Sequence, residues 1–215
     1  MPPMFGESRR SGFSFVGCSE AGWALMGRHR NRAVFFIDGN NWFHSLREAG
    51  VPGIGTLRYP RICGKLVGSG TWHSTRYYVP DVSAMGDPRR LAAQRSFLRS
   101  LKGQDRRITV HLGRIERRPS DIHAGRELLR YLANLPVRIP RQAYQVAVDM
   151  VAMAYEDLFD RAYLLSADGD FTPAVEAVRK RGKKVFALSP ASGAKLAAVV
   201  DDYIRLRADW FVGCW

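Results

Sequence analysis

The chain has 215 residues, 46% of them hydrophobic, so it can bury the core of one domain and is too apolar to be disordered throughout. Its 33 basic residues outnumber its 20 acidic ones, for a formal net charge of +13. Only six of the basic residues are lysines and 27 are arginines. Codon bias explains the arginine excess equally well, but either way the net charge favours a nucleic-acid partner, because arginine binds phosphate through two donors and stacks on bases.

The cysteines and the hydropathy pattern predict a protein of the reducing cytoplasm. Cys18, Cys63 and Cys214 are odd in number and far apart, without the paired spacing of a zinc site or a disulfide framework. No stretch approaches the ~18 apolar residues of a membrane span. The first residues lack a charged flank followed by an apolar signal core. We therefore expect a cytoplasmic chain with no membrane partner.

The order of elements along the chain predicts one α/β domain with two appended segments. Residues 1 to 31 show no sustained period, and we predict an N-terminal extension that is either a flexible arm touching phosphate or a segment docked through Trp23. From 32 to 200, apolar runs alternate with helix-like segments. Strands are expected at residues 33 to 38, 75 to 79, 108 to 112, 162 to 165 and 184 to 188. Helices are expected at residues 41 to 48, 57 to 66, from 87 onward, and at 126 to 132, 144 to 155 and 172 to 181.

This alternation is typical of a three-layer α/β/α sandwich with a mostly parallel central sheet. Residues 201 to 215 form a separate aromatic C-terminal tail in this interpretation. The tail either packs on the domain, meets another subunit in a homo-oligomer, or stacks on bases. Packing is favoured, because aromatic side chains bury readily.

Two of the predicted strands end at carboxylates beside glycine. Asp38 precedes Gly39 at the end of the first strand, and Asp168 and Asp170 flank Gly169 after the fourth. Because ligands of open parallel sheets bind outside the carboxyl ends of the strands, these side chains are expected to share one pocket. Clustered carboxylates repel one another, so a hard cation such as Mg²⁺ or Mn²⁺ is the expected partner.

A fourth aspartate lies inside an apolar helix. Asp149 is flanked by Val148 and Met150, so it must either face solvent on a narrow polar stripe or be buried with a partner. Taken singly, each aspartate has a structural explanation: Asp170 as a helix cap, Asp38 as a brace for a turn, and Asp149 as the partner of an arginine. Their conjunction favours a shared metal site.

Several neighbouring residues are candidates for contacts with substrate. Asn40 is predicted to be functional and Asn41 to cap the helix or to contact phosphate. Ser166 either donates to a carboxylate or phosphate or is an ordinary hydroxyl at a strand end. Arg76 and Lys183 would neutralise the phosphate backbone, so binding should weaken steeply with added salt, although simple surface placement explains both equally well.

At these residues the chain resembles the NYN domain family of PIN-like nucleases, over residues 32 to 188. The resemblance rests on Asp38-Gly39-Asn40-Asn41, on Val148-Asp149-Met150, and on Leu165-Ser166-Ala167-Asp168-Gly169-Asp170-Phe171-Thr172-Pro173 followed by Gly182-Lys183-Lys184-Val185. It implies a Rossmann-like α/β/α domain, Mg²⁺ or Mn²⁺ at the acidic residues, and cleavage of RNA. Residue by residue, it places Asp38, Asp149, Asp168 and Asp170 on the family's acidic positions and Asn40 on its asparagine.

One position departs from that resemblance. Many relatives carry a further carboxylate six residues before the helical aspartate, where this chain has Ala143. Fewer acidic ligands weaken binding of a divalent ion, so the chain is either a slow nuclease or an inactivated relative that still binds RNA. The sequence therefore predicts a metal-dependent ribonuclease acting on single-stranded or structured RNA, with an RNA-binding or assembly module as the alternative.

A phosphatase acting on small esters is disfavoured. The nucleophile and acid of aspartate-dependent phosphatases stand two residues apart, and Asn40 occupies the second of those positions here.

Overall fold

The computed structural model describes residues 31 to 85, 87 to 113 and 141 to 215, although it leaves out the side chains of residues 84, 85 and 141 to 143. The N-terminal extension and the helix predicted at 126 to 132 lie outside these ranges. None of the described helices has the length and apolar character needed to cross a lipid bilayer.

The centre of the fold is a six-stranded, entirely parallel sheet in the order β3-β2-β1-β4-β5-β6. Its strands are β1 Arg32–Asp38, β2 Thr71–Pro80, β3 Ile108–Gly113, β4 Arg161–Leu165, β5 Lys184–Ser189 and β6 Asp202–Arg205. The predicted α/β fold is confirmed. The sequence analysis did not predict β6, because this short edge strand has exposed ends and lacks the apolar run of the buried strands.

Six described helices connect the strands: α1 Gly39–Glu48, α2 Tyr59–Val67, α3 Pro88–Lys102, α4 Arg141–Tyr155, α5 Thr172–Lys180 and the single turn α6 Ala194–Ala197. The capping signals explain their limits. The Asp87 side chain accepts from the first backbone N–H groups of α3, and Pro88 occupies its first position. Gly182 takes a φ of 74° just after α5, a conformation that glycine adopts without steric cost.

Two hydrophobic cores cover the two faces of the sheet. Alternate residues of β1 point to opposite faces, so Phe35 and Ile37 join one core while Val34 and Phe36 join the other. Helices α1 and α2 supply the first core, and α4 and α5 supply the second. Because both faces are covered, the central strands are apolar at nearly every position, as the sequence indicated.

The C-terminal residues pack on the first of these cores. The ring of Phe211 is fully buried and lies 6.0 Å from the ring of Trp42 in α1. The indole Nε1 of Trp215 donates to the carbonyl of Pro52 at 3.2 Å. Packing on the domain is therefore observed for this segment. Its first residues, in β6, also belong to the sheet and do not form a separate tail.

The tight approach of Gly39 to β2 gives a prediction for stability. A Cβ at Gly39 would lie 2.5 Å from Cε1 of Tyr77 and 2.7 Å from the backbone oxygen of Tyr78. We expect Gly39→Ala to lower the free energy of unfolding by about 1–3 kcal/mol, because the strand must shift to admit the methyl group.

Gly64 provides the control. It lies in α2 with nothing within 4 Å of its added Cβ. Gly64→Ala should therefore raise the free energy of unfolding by up to about 1 kcal/mol, through helix propensity alone. Urea unfolding of both variants checks the pair, and equal effects would contradict the assigned contact.

Candidate active site

The candidate site lies where the order of the strands reverses. The chain runs outward from β1 to β2 and β3, then returns to β4 beside β1 and continues outward on the other side. The loops that leave β1 and β4 therefore diverge and open a crevice at the carboxyl edge, the usual ligand position in such sheets. Asp38 is the last residue of β1, and Asp168 follows β4 by three residues.

The carboxylate of Asp38 is only 5% exposed and caps α1 by accepting from the backbone N–H of Asn41 at 3.3 Å. Burial and, to a smaller extent, the negative charge of Asp168 raise its pKa to about 6, against the backbone hydrogen bonds from Asn41 and Asn40. The two carboxylates from neighbouring strand ends are thus close enough to interact. This pair is the acidic centre of the site.

Backbone hydrogen bonds fix the loop that carries Asp168. The hydroxyl of Ser166 accepts from the Asp168 N–H at 3.1 Å, and the Asp168 carboxylate accepts from the Asp170 N–H at 3.0 Å. The side chain of Asn41 accepts from the N–H of Ala167 at 3.0 Å, which joins α1 to the loop after β4. Ser166 is fully buried, so its hydroxyl shapes the loop and does not face solvent.

These contacts correct one assignment from the sequence. Asn41 was expected to cap the helix, but Asp38 is the capping residue and α1 begins at Gly39. The amide of Asn41 is occupied instead by the loop after β4. Asn40, by contrast, is exposed beside the acidic pair.

Asp149 is held by an arginine and a tyrosine. One of its carboxylate oxygens accepts from Nη1 of Arg76 at 3.0 Å and from the hydroxyl of Tyr78 at 2.7 Å. Burial and the hydrogen bond to Asp149 raise the pKa of Tyr78, so this hydroxyl remains a donor. The ring of Tyr78 stacks on His111 with 4.7 Å between ring centroids.

The four predicted aspartates do not form one cluster. Within residues 31 to 85, 87 to 113 and 141 to 215, no three side chains of Asp, Glu, His or Cys converge into a metal-binding group. Asp38 and Asp168 interact, whereas Asp149 lies in its ion pair with Arg76. The side chain of Ala143 is not among those that the structure describes.

A two-carboxylate site still suits one kind of ion. Mg²⁺ is commonly held by one or two carboxylates while it keeps several waters, and the oxygen donors of Asp38 and Asp168 match that requirement. The pKa of Asp38 is raised mainly by burial and to a smaller extent by the charge of Asp168, and a cation between the two carboxylates would offset both effects. The described side chains do not supply enough ligands to coordinate the ion without water.

The two predicted phosphate-binding cations lie in different places. Arg76 is on β2 beside Asp149. Lys183 precedes β5 and pairs with Asp157 at the amino edge of the sheet. One strand of five or six residues, roughly 17–20 Å, separates that edge from the acidic pair, so Lys183 does not belong to the same site.

Sequence reasoning missed the contribution of Tyr78 to this region. An aromatic residue in a strand usually belongs to the hydrophobic core, and the ring of Tyr78 is indeed buried there. Its hydroxyl, however, supports Asp149 across 71 positions of sequence. No local pattern signals such a contact.

The order of the strands defines a Rossmann-like α/β protein, and Asp38 and Asp168 lie at its switch point. The sequence model of the NYN domain matches residues 32 to 207, and the chain belongs to that family. Domains of this family are generally RNA-cleaving nucleases.

Comparison with other proteins supports the fold. The chain is similar to a protein of unknown function from Vibrio parahaemolyticus, known from a crystal structure, with a TM-score of 0.55 and 21% sequence identity. The similarity covers 83% of this chain and 94% of that one, and at this identity it concerns the fold alone. No functionally curated protein matches.

Proposed function

We propose that this protein is a divalent-metal-dependent ribonuclease whose reaction centre contains Asp38 and Asp168. The observation that carries the proposal is the position of Asp38 and Asp168, which follow the carboxyl ends of the neighbouring strands β1 and β4 at the switch point of a parallel sheet. Membership of the NYN family and the charge of +13 point to the same substrate, a polyanion.

Asp38 and Asp168 would hold Mg²⁺ or Mn²⁺ directly, and Asp170, two residues after Asp168, would contact its waters. When bound, such an ion polarises a phosphoryl oxygen and lowers the pKa of a coordinated water. Asp38 must be ionised for this role. Because its pKa is raised to about 6, cleavage should increase between about pH 5 and 7.

The chain's other residues orient the reacting groups. Asn41 and Ser166 hold the two loops in place through backbone hydrogen bonds. Exposed Asn40 is the side chain that can donate to a phosphate oxygen beside the pair. The backbone of Gly39, packed against β2, sets the position of Asp38 and Asn40.

In this proposal Asp149 positions an arginine. Its carboxylate orients the guanidinium of Arg76, whose side chain is 28% exposed. A guanidinium carries five N–H donors, and one of them serves Asp149. Because part of its side chain is exposed, Arg76 would also contact phosphate, which combines the predicted roles of Asp149 and Arg76 in a single unit.

A specific observation favours a second candidate, an RNA-binding module without turnover. No group of three metal-binding side chains occurs in the described parts of the chain, and the helical aspartate is neutralised by Arg76. Such a protein would keep the fold and the basic charge but would not hydrolyse RNA.

An RNA cleavage assay separates the two candidates. The full chain is incubated at low salt with a single-stranded RNA that carries a fluorophore and a quencher, in Mn²⁺ or in EDTA. We expect cleavage in Mn²⁺ and none in EDTA. Cleavage that persists in EDTA would overturn the metal-dependent mechanism. RNA binding without cleavage in either buffer would favour the binding module.

A further inference from the structure

A cavity of about 580 Å³ opens beside the acidic pair. Gly39 and Asn40, the residues that follow Asp38, form one end of it, and the carboxyl end of β2 and helix α3 form the other. Its volume falls within the range of about 300–1,000 Å³ typical of ligand pockets. The mechanism proposed above makes no use of this space.

Five aromatic side chains surround the cavity. Trp42, Tyr59 and Tyr77 are buried behind it, and Phe43 and Phe97 are the rings that a ligand can reach. The ring of Tyr77 packs edge-on against Tyr59 and Phe97, with centroid distances of 5.6 and 5.8 Å. Phe43 is 44% exposed and so offers a ring to an incoming ligand. Aromatic faces beside a polyanion site are the usual platform for stacking bases.

The indole Nε1 of Trp42 is not open to the cavity. It is buried away from solvent. It lies near enough to the Tyr59 hydroxyl to influence that group's pKa.

Other polar groups of the cavity are already occupied. The amide of Gln94 donates to the carbonyl of Pro80 at 2.7 Å and accepts from the Val82 N–H at 3.3 Å. These bonds hold the end of β2 against α3, so the wall keeps its shape without a ligand. Arg90 also lines the cavity, with its side chain 73% exposed.

We propose that this cavity binds one nucleobase of the RNA strand, from a nucleotide adjacent to the phosphate held at Asp38 and Asp168. This inference rests on the proposed function and adds a base-recognition pocket to it. A base has flat faces that can stack on the accessible ring of Phe43. Asn40 belongs to both sites, so a strand with its phosphate at the acidic pair has an adjacent base within reach of the cavity.

Binding of RNA in EDTA tests the inference independently of cleavage. A 12-nucleotide RNA is compared, by fluorescence anisotropy, with a set in which one abasic site is moved along the strand. We expect one or two positions at which loss of the base weakens binding by roughly 5- to 150-fold, the range for one stacked base. Uniform affinity at every position would overturn the inference and leave the cavity to an aromatic peptide.

Two matched variants locate the effect. Phe43→Ala removes a half-exposed ring from the cavity, and Tyr155→Ala removes a 60% exposed ring at the far end of α4. Phe43→Ala should weaken binding of the intact RNA and abolish the difference at the sensitive position, while Tyr155→Ala should leave that difference unchanged. If Phe43→Ala retains the difference, the pocket is elsewhere and the inference fails.

These outcomes are distinct from failure of the proposed function. A positional effect on binding without cleavage would retain the base pocket and remove the nuclease. Cleavage without any positional effect would do the reverse.

Discussion

Asp168→Asn is expected to reduce metal-dependent RNA cleavage by about 100-fold or more while the protein remains folded. Residues that only support metal ligands typically contribute 10- to 100-fold, so loss of a carboxylate that holds the ion should cost at least the upper end of that range. The asparagine oxygen can still accept from the Asp170 N–H, as the carboxylate does at 3.0 Å. The substitution therefore removes charge and retains the turn.

The measurement is the initial rate of RNA cleavage in Mn²⁺, together with RNA affinity in EDTA. Asp209→Asn is the matched control, because it removes the same charge from a side chain that is 77% exposed and only loosely paired with Arg207. It should retain full activity. Equal activity of Asp168→Asn and the original protein would exclude the acidic pair as the reaction centre.

The second large effect concerns stability. The pKa of Asp38 is about 6 in the folded protein against an ordinary value of 3.8, because the carboxylate is buried near Asp168. The folded state therefore holds this proton more tightly than the unfolded state. The contribution to stability is fully present below pH 3.8 and is lost as the pH rises through 6.

Asp38→Asn removes that pH dependence. Asparagine caps helices as well as aspartate does, so the substitution isolates the charge. Two pKa units correspond to about 3 kcal/mol, and we expect the variant to be more stable than the original by up to that amount at pH 7. The difference should shrink as the pH falls from 6 to 4, and urea unfolding across that interval measures it.

A divalent ion should restore the stability of the original protein. Mn²⁺ bound at Asp38 favours the folded state, so the melting temperature at pH 7 should rise with Mn²⁺ for the original chain and change little for Asp38→Asn. Equal shifts for both proteins would indicate that the ion binds elsewhere. A variant less stable than the original at every pH would contradict the assigned cost of burying this charge.

The sequence predicted the strands that are completely buried in the fold. Strands β1, β4 and β5 are covered on both faces, so their nearly continuous apolar sequences were enough to predict them. The short edge strand β6 was not predicted, because it lacks the continuous apolar run of a strand that is buried on both faces. The predicted starts of α1, α2 and α4 were wrong by two or three residues. At α1 the cap is Asp38 and not Asn41.

The site was only partly readable. The carboxylates at the two strand ends were expected to share the carboxyl edge, and the interaction of Asp38 with Asp168 agrees with that expectation. The ion pair between Asp149 and Arg76, and the link from Asn41 to Ala167, join residues 73 and 126 positions apart. Contacts at such separation leave no local signature.

The sequence by itself determined the parallel α/β architecture and the edge of the sheet that carries the acidic residues, because both follow from hydrophobic periodicity and from where apolar strands end. Only the tertiary structure decided which aspartates interact, which one is neutralised by an arginine, and that an aromatic cavity adjoins them. The physical reason is that electrostatic coupling and cavity shape depend on distances between side chains from different elements. Packing of the whole chain sets those distances.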